Sequence, residues 1–118
     1  MVDAARLERD DPFAAIRAQF MTRLEAEADV IDALLVRLEG QEAGVDLEAL
    51  GQIRTIAHKI SGVAATLGFE DLGDAAAQVD IHIVGEHYLT EANSTVTKEL
   101  VALFLQELDL ALENGPKL

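Results

Sequence analysis

The feature that most restricts this chain is a seam of apolar residues between Leu50 and Leu67. Leu50, Ile53, Ala57, Ile60, Ala64 and Leu67 are separated by steps of 3, 4, 3, 4 and 3. Those steps place every member on one stripe of an α-helix, whereas a strand would scatter them over both faces. A helix with an apolar stripe must bury it against a neighbour, and this spacing is that of helices packed in a bundle. Asp46 reads as the N-cap of this segment and Gly68 as its stop.

The rest of the chain supplies the neighbours. Asp11 reads as an N-cap and Pro12 as a first-turn residue. Phe13, Ile16, Phe20, Leu24, Ile31, Leu35 and Leu38 then follow a helical period, and Gly40 and Gly44 end it. Residues 2–9 read as a short extra N-terminal helix or a frayed end. A third helix is expected from about Glu70 to Val84, stopped by Gly85, with Leu72, Ala76, Val79 and Ile83 inward. Gly73, Ala75, Ala76 and Ala77 make it slim enough for close approach. Residues 85–95 read as a loop, with Thr90, Asn93, Ser94 and Thr95 as capping residues. The last helix is expected from about Thr95 to Glu113, with a broad apolar face of Val96, Leu100, Leu103, Phe104, Leu108 and Ala111, and Asn114-Gly115-Pro116 ends it. The expected fold is all-α: an antiparallel up-down four-helix bundle forming a single domain over residues 1–118.

Composition narrows the function. The chain has no cysteine, which excludes disulfides, thiol catalysis and cysteine-based zinc sites. Its formal net charge is −13, the wrong sign for binding nucleic acid or anionic membranes; the excess charge serves solubility. No apolar run approaches the roughly 20 residues that span a bilayer, and the charged N-terminus lacks an apolar signal core. A soluble, cytoplasmic monomer is expected.

Of the three histidines, His58 has the informative setting. At about 100° per residue, Ala57 and Ile60 point inward and His58 sits on the flank of the buried stripe. Arg54 lies one turn back; Ser61 and Gly62 lie one turn on, and Ala65 at the next. Glycine inside a helix costs about 1 kcal/mol relative to alanine, so Gly62 implies a steric reason, either close helix packing or access to the imidazole. Arg54, Thr55 and Lys59 add donors and positive charge suited to phosphate. A free imidazole is a competent nucleophile near neutral pH. The arrangement suits accepting and passing on a phosphoryl group.

Residues 57–80, AHKISGVAATLGFEDLGDAAAQVD, resemble the signature of histidine-containing phosphotransfer (HPt) domains. His58 matches the phosphorylated histidine, Gly62 the glycine four residues on, Val63 and Ala64 the small or apolar positions, and Leu67-Gly68-Phe69 the closing step. Leu72, Ala76 and Val79 follow the pattern of the next helix. The resemblance implies a phosphorelay intermediate rather than an enzyme. Its partners would be receiver domains, which supply the Mg²⁺ and the acidic pocket, so this chain needs no cofactor. Arg54, Lys59, Ser61, Gly62 and Ala65 would contact the phosphoryl group or the receiver, and Gln78 or Asp80 would orient the histidine. Where the family usually carries lysine three residues after the histidine, this chain has Ser61. That departure sustains an alternative: a degenerate module that binds or sequesters a receiver without transfer.

Other features read blandly. His82 and His87, five apart, are poorly spaced for one helix face, and no metal site is expected. The acidic stretches Glu8–Asp11 and Glu25–Asp29 read as solvated faces. No phosphate-binding loop of the G-x-x-x-x-G-K-[ST] form occurs, so phosphorylation directly from ATP is not expected.

Overall fold

A computed structural model describes residues 11–40, 46–85 and 91–117. Among them are four helices and no strand: α1 (Ala14–Glu39), α2 (Leu47–Val63), α3 (Glu70–Gly85) and α4 (Glu91–Asn114). Each helix packs on the next, and α4 closes the ring on α1. The expected extra helix over 2–9, Gly44 and residues 86–90 lie outside the described residues. None of the described helices is long and apolar enough to cross a membrane.

All six members of the α2 seam are buried, from Leu50 to Leu67. They meet Leu24, Ile31 and Leu35 of α1, Leu72, Ala76 and Val79 of α3, and Val101, Phe104 and Leu108 of α4 in one core. Phe20 and Phe69 add a tilted ring pair with centroids 5.4 Å apart, tying α1 to the turn after α2.

The ends of α2 follow from their local chemistry. The Asp46 carboxylate accepts from the Ala49 N–H at 3.0 Å, as an N-cap does, and Arg37 of α1 pairs with it at 2.8 Å. At the other end the chain tightens over 64–68. The Phe69 N–H bonds the Ala64 carbonyl at 2.8 Å and the Gly68 N–H bonds the Ala65 carbonyl at 3.2 Å. With Gly68 at φ +93°, this is a Schellman stop, which needs the left-handed conformation that glycine adopts without strain.

Four expectations are corrected. Asp11 does not cap α1; its carboxylate accepts from the Phe13 N–H at 2.9 Å and pairs with Arg17, and the helix begins three residues later at Ala14. Phe13 and Ile16 are exposed: they continue the stripe of Phe20 and Leu24 but lie at the start of a 26-residue helix beside a 17-residue one. Helix α4 begins at Glu91 rather than Thr95, so Asn93, Ser94 and Thr95 lie within the helix rather than in a capping loop. Val96 and Leu103, seven apart on one flank of α4, are exposed, because the apolar face of α4 is wider than its two neighbours cover.

Candidate functional site

The site is built where α2 and α3 run side by side. Gly73 lies at their contact: a Cβ there would lie 3.4 Å from the Ala65 nitrogen and 3.5 Å from Ala64 Cβ, already in van der Waals contact, so there is room for a methyl group and little more. With the helices this near, a side chain two turns further along α3 reaches the flank of α2. Asp80 does so. Its Oδ2 lies 2.9 Å from His58 Nδ1, and its Oδ1 lies 3.4 Å from Arg54 Nε.

The three groups differ in exposure. The Asp80 side chain is 17% exposed, Arg54 48% and His58 71%. The carboxylate is therefore the rooted member and the imidazole the presented one. A carboxylate only accepts, so Nδ1 carries the proton and donates it to Asp80. That fixes the tautomer and leaves the lone pair on Nε2. Asp80 Oδ1 is buried and accepts no hydrogen bond; Arg54 is near enough for an ion pair but is not aligned to donate.

The sequence places Arg54, Lys59, Ser61, Gly62 and Ala65 around His58, and the structure separates them. Arg54 stands with His58 and Asp80. Gly62 on the outer side of α2 and Ala65 in the turn that follows are exposed, and a Cβ on Gly62 would meet nothing within 4 Å. Of the two reasons expected for that glycine, helix packing is ruled out and open access stands. Lys59 lies on the opposite flank, lining a shallow groove against Phe20, Arg23 and Glu27 of α1. Ser61 Oγ donates back to the His58 carbonyl at 2.9 Å, the habit of serine inside helices, so its hydroxyl is turned from the imidazole ring toward the backbone. Gln78 is exposed; it precedes Asp80 by two residues, about 200° around the helix, so only Asp80 faces α2. The pairing of Arg54 with Asp80 carried no signal in the sequence, since it joins two helices.

His82 is half-buried, its Nε2 2.8 Å from Thr97 Oγ1 of α4, an interhelical bond. His87 lies outside the described residues. Among the described residues no group of three or more His, Asp or Glu side chains is arranged to hold a metal ion.

A protein-family model described as Hpt domain matches residues 15–114, which takes in the whole of the His58 site and, but for Ala14, all four helices. A search of curated proteins and a search of solved structures each found no match.

Proposed function

The chain belongs to the Hpt domain family, whose members are phosphocarrier modules that work with receiver domains, and from that premise we propose that His58 accepts a phosphoryl group from a receiver aspartate and passes it to another. The observation that carries this reading is the 2.9 Å contact of His58 Nδ1 with Asp80, on a side chain otherwise open to solvent. It aims a nucleophilic Nε2 outward and holds the proton on the far nitrogen.

The step balances simply. The Nε2 lone pair attacks the phosphorus of the aspartyl phosphate in line; the bond from phosphorus to the aspartyl oxygen breaks, and its electron pair returns to the receiver's carboxylate. The ring gains positive character, which the Asp80 carboxylate stabilises through Nδ1–H. Onward transfer is the same step reversed toward a second aspartate. Mg²⁺ belongs to the receiver, where it offsets charge on the phosphoryl oxygens. Gly62 leaves the outer side of α2 low one turn after His58, and the exposed Ala65 keeps the following turn low, so a receiver's active-site rim can approach. The site is made from α2 and α3 of one chain, so one copy suffices.

The test is to incubate the protein with a phosphorylated receiver domain and look for acid-labile, base-stable phosphate on it. Label on the wild type and none on His58→Gln, with helicity retained, is the expected result. Label that survives His58→Gln would remove His58 from the role. Receiver binding with no label at all would leave the second reading, a binding module without transfer, which the turned-away Ser61 hydroxyl favours.

A further inference from the structure

The geometry points to Arg54 as the cation that takes up the phosphoryl group on His58, by exchanging its partner Asp80 for the phosphoryl oxygens. This inference rests on the phosphotransfer reading of His58 and adds a charge exchange within the site.

The need for such a cation follows from charge. A phosphoryl group on Nε2 brings about two negative charges to a ring whose other nitrogen is already 2.9 Å from a carboxylate. Without a positive group on that flank, the site would hold two like-charged partners on one imidazole. Ser61, at the position three residues on, is neutral and donates to the backbone. Lys59 faces the α1 side. Among the other described cations, Arg17, Arg23, Arg37 and Lys117 are paired with Asp11, Glu27, Asp46 and Asp71, and Lys98 sits on α4. Among the described cations, Arg54 alone is on the His58 flank.

Its present contact is of the kind that can be exchanged. Arg54 Nε stands 3.4 Å from Asp80 Oδ1, yet that oxygen accepts no hydrogen bond, so the pair is held by charge without directional bonding. The side chain is half-exposed, and long enough to turn within the same turn of helix. A guanidinium presents a planar fork of donors that fits phosphate in bidentate fashion, a stronger arrangement than the one it leaves. Asp80 does not become an isolated charge, because Nδ1–H remains bonded to Oδ2. At rest, then, Arg54 offsets Asp80; once the ring is phosphorylated, it offsets the phosphoryl group while the ring itself offsets Asp80.

Two explanations of an Arg54 effect must be separated: contact with the phosphoryl group, and positioning of Asp80. The experiment is a double-mutant cycle of Arg54→Ala and Asp80→Asn, reading the rate of label transfer from a phosphorylated receiver and the lifetime of the phosphohistidine. Arg54→Ala in the wild-type background should lower transfer and shorten the lifetime by roughly tenfold, the scale of one charge-assisted bond, with Arg54→Lys in between. In the Asp80→Asn background Arg54→Ala should still cost a similar factor. An effect that vanishes there would overturn the inference in favour of mere positioning, and so would an Arg54→Ala protein indistinguishable from the wild type. Thermal melts of each variant confirm that the exposed substitution leaves the bundle folded. Absence of label on the wild type is a different outcome, since it removes the phosphotransfer reading itself.

Discussion

A Cβ placed on Gly73 would lie 3.4 Å from the Ala65 nitrogen and 3.5 Å from Ala64 Cβ, whereas one placed on Gly62 would meet nothing within 4 Å. Both glycines are helical, and both give up helix propensity. Gly73 faces a neighbouring backbone, where a Cβ would already be in contact and a larger side chain would have no room. Gly62 faces solvent, and nothing within the fold requires it. The same division runs the length of α2. Ile53, Ala57 and Ile60 on its inner side are buried; His58 and Gly62 on its outer side are open. One helix thus carries the residues that hold the bundle on one face and the residues that meet a partner on the other, and the two sets should answer to different measurements.

The largest effects test that division directly. Ile53 is fully buried, and Ile53→Ala should lower unfolding free energy by about 2–5 kcal/mol through lost burial and the cavity left behind. His58→Gln should abolish phosphate uptake and leave denaturant unfolding within about 0.5 kcal/mol of wild type. A His58→Gln protein destabilised as much as Ile53→Ala would show that the outer face also holds the fold, and the division would fail.

Leucine at each glycine sharpens the comparison. Gly73→Leu forces a side chain into the α2–α3 contact and should destabilise by about 1–3 kcal/mol. Gly62→Leu restores helix propensity, so it should be neutral or stabilising by up to about 1 kcal/mol, while blocking label transfer. Equal loss of stability at both sites, measured by denaturant melts, would contradict the open space at Gly62. Full transfer by Gly62→Leu would show that the receiver does not approach over that turn.

How much of this was legible in the sequence depends on whether a property is local. The α2 seam was readable because its period reports burial directly, and the Asp46 cap and Gly68 stop because each is set within a few residues. Phe13, Ile16, Val96 and Leu103 were misplaced because period gives direction around a helix but not whether a neighbour extends far enough to cover it. The start of α4 was missed because Asn93, Ser94 and Thr95 suit caps in isolation, whereas the helix already runs from Glu91. In the site, His58 and Gly62 were marked by an unexplained glycine beside a nucleophile. Asp80 and Gln78 were not separable until the phase of α3 against α2 was known, and the Arg54–Asp80 contact lies between helices, where spacing in the chain says nothing.

Ser61 offers a smaller effect at the boundary between the two faces. Its hydroxyl is engaged with the His58 carbonyl, so Ser61→Ala should leave transfer rates within about twofold of wild type, and remove a bond that competes weakly with the helix. Ser61→Lys, by contrast, adds a second cation near the phosphoryl group and should lengthen the phosphohistidine lifetime. A marked loss in Ser61→Ala would mean that the hydroxyl turns outward when a receiver is bound.

The smallest expected effect belongs wholly to the fold side of the comparison. The Ala49 N–H bonded to the Asp46 carboxylate, helped by Arg37, holds that carboxyl below its ordinary value of 3.8. A carboxyl depressed in the folded state stabilises the protein above the unfolded value, and that contribution is lost as pH falls through the folded one. Asn is nearly as good an N-cap as Asp, so Asp46→Asn removes the charge while keeping the cap. The difference in melting temperature between wild type and Asp46→Asn should be small and constant near neutral pH. It should then shrink as the pH drops below about 3.8. Because global charge changes affect both proteins almost equally, a difference that stays flat into acid would show that the carboxylate's charge does not contribute, and label transfer at neutral pH should be the same for both.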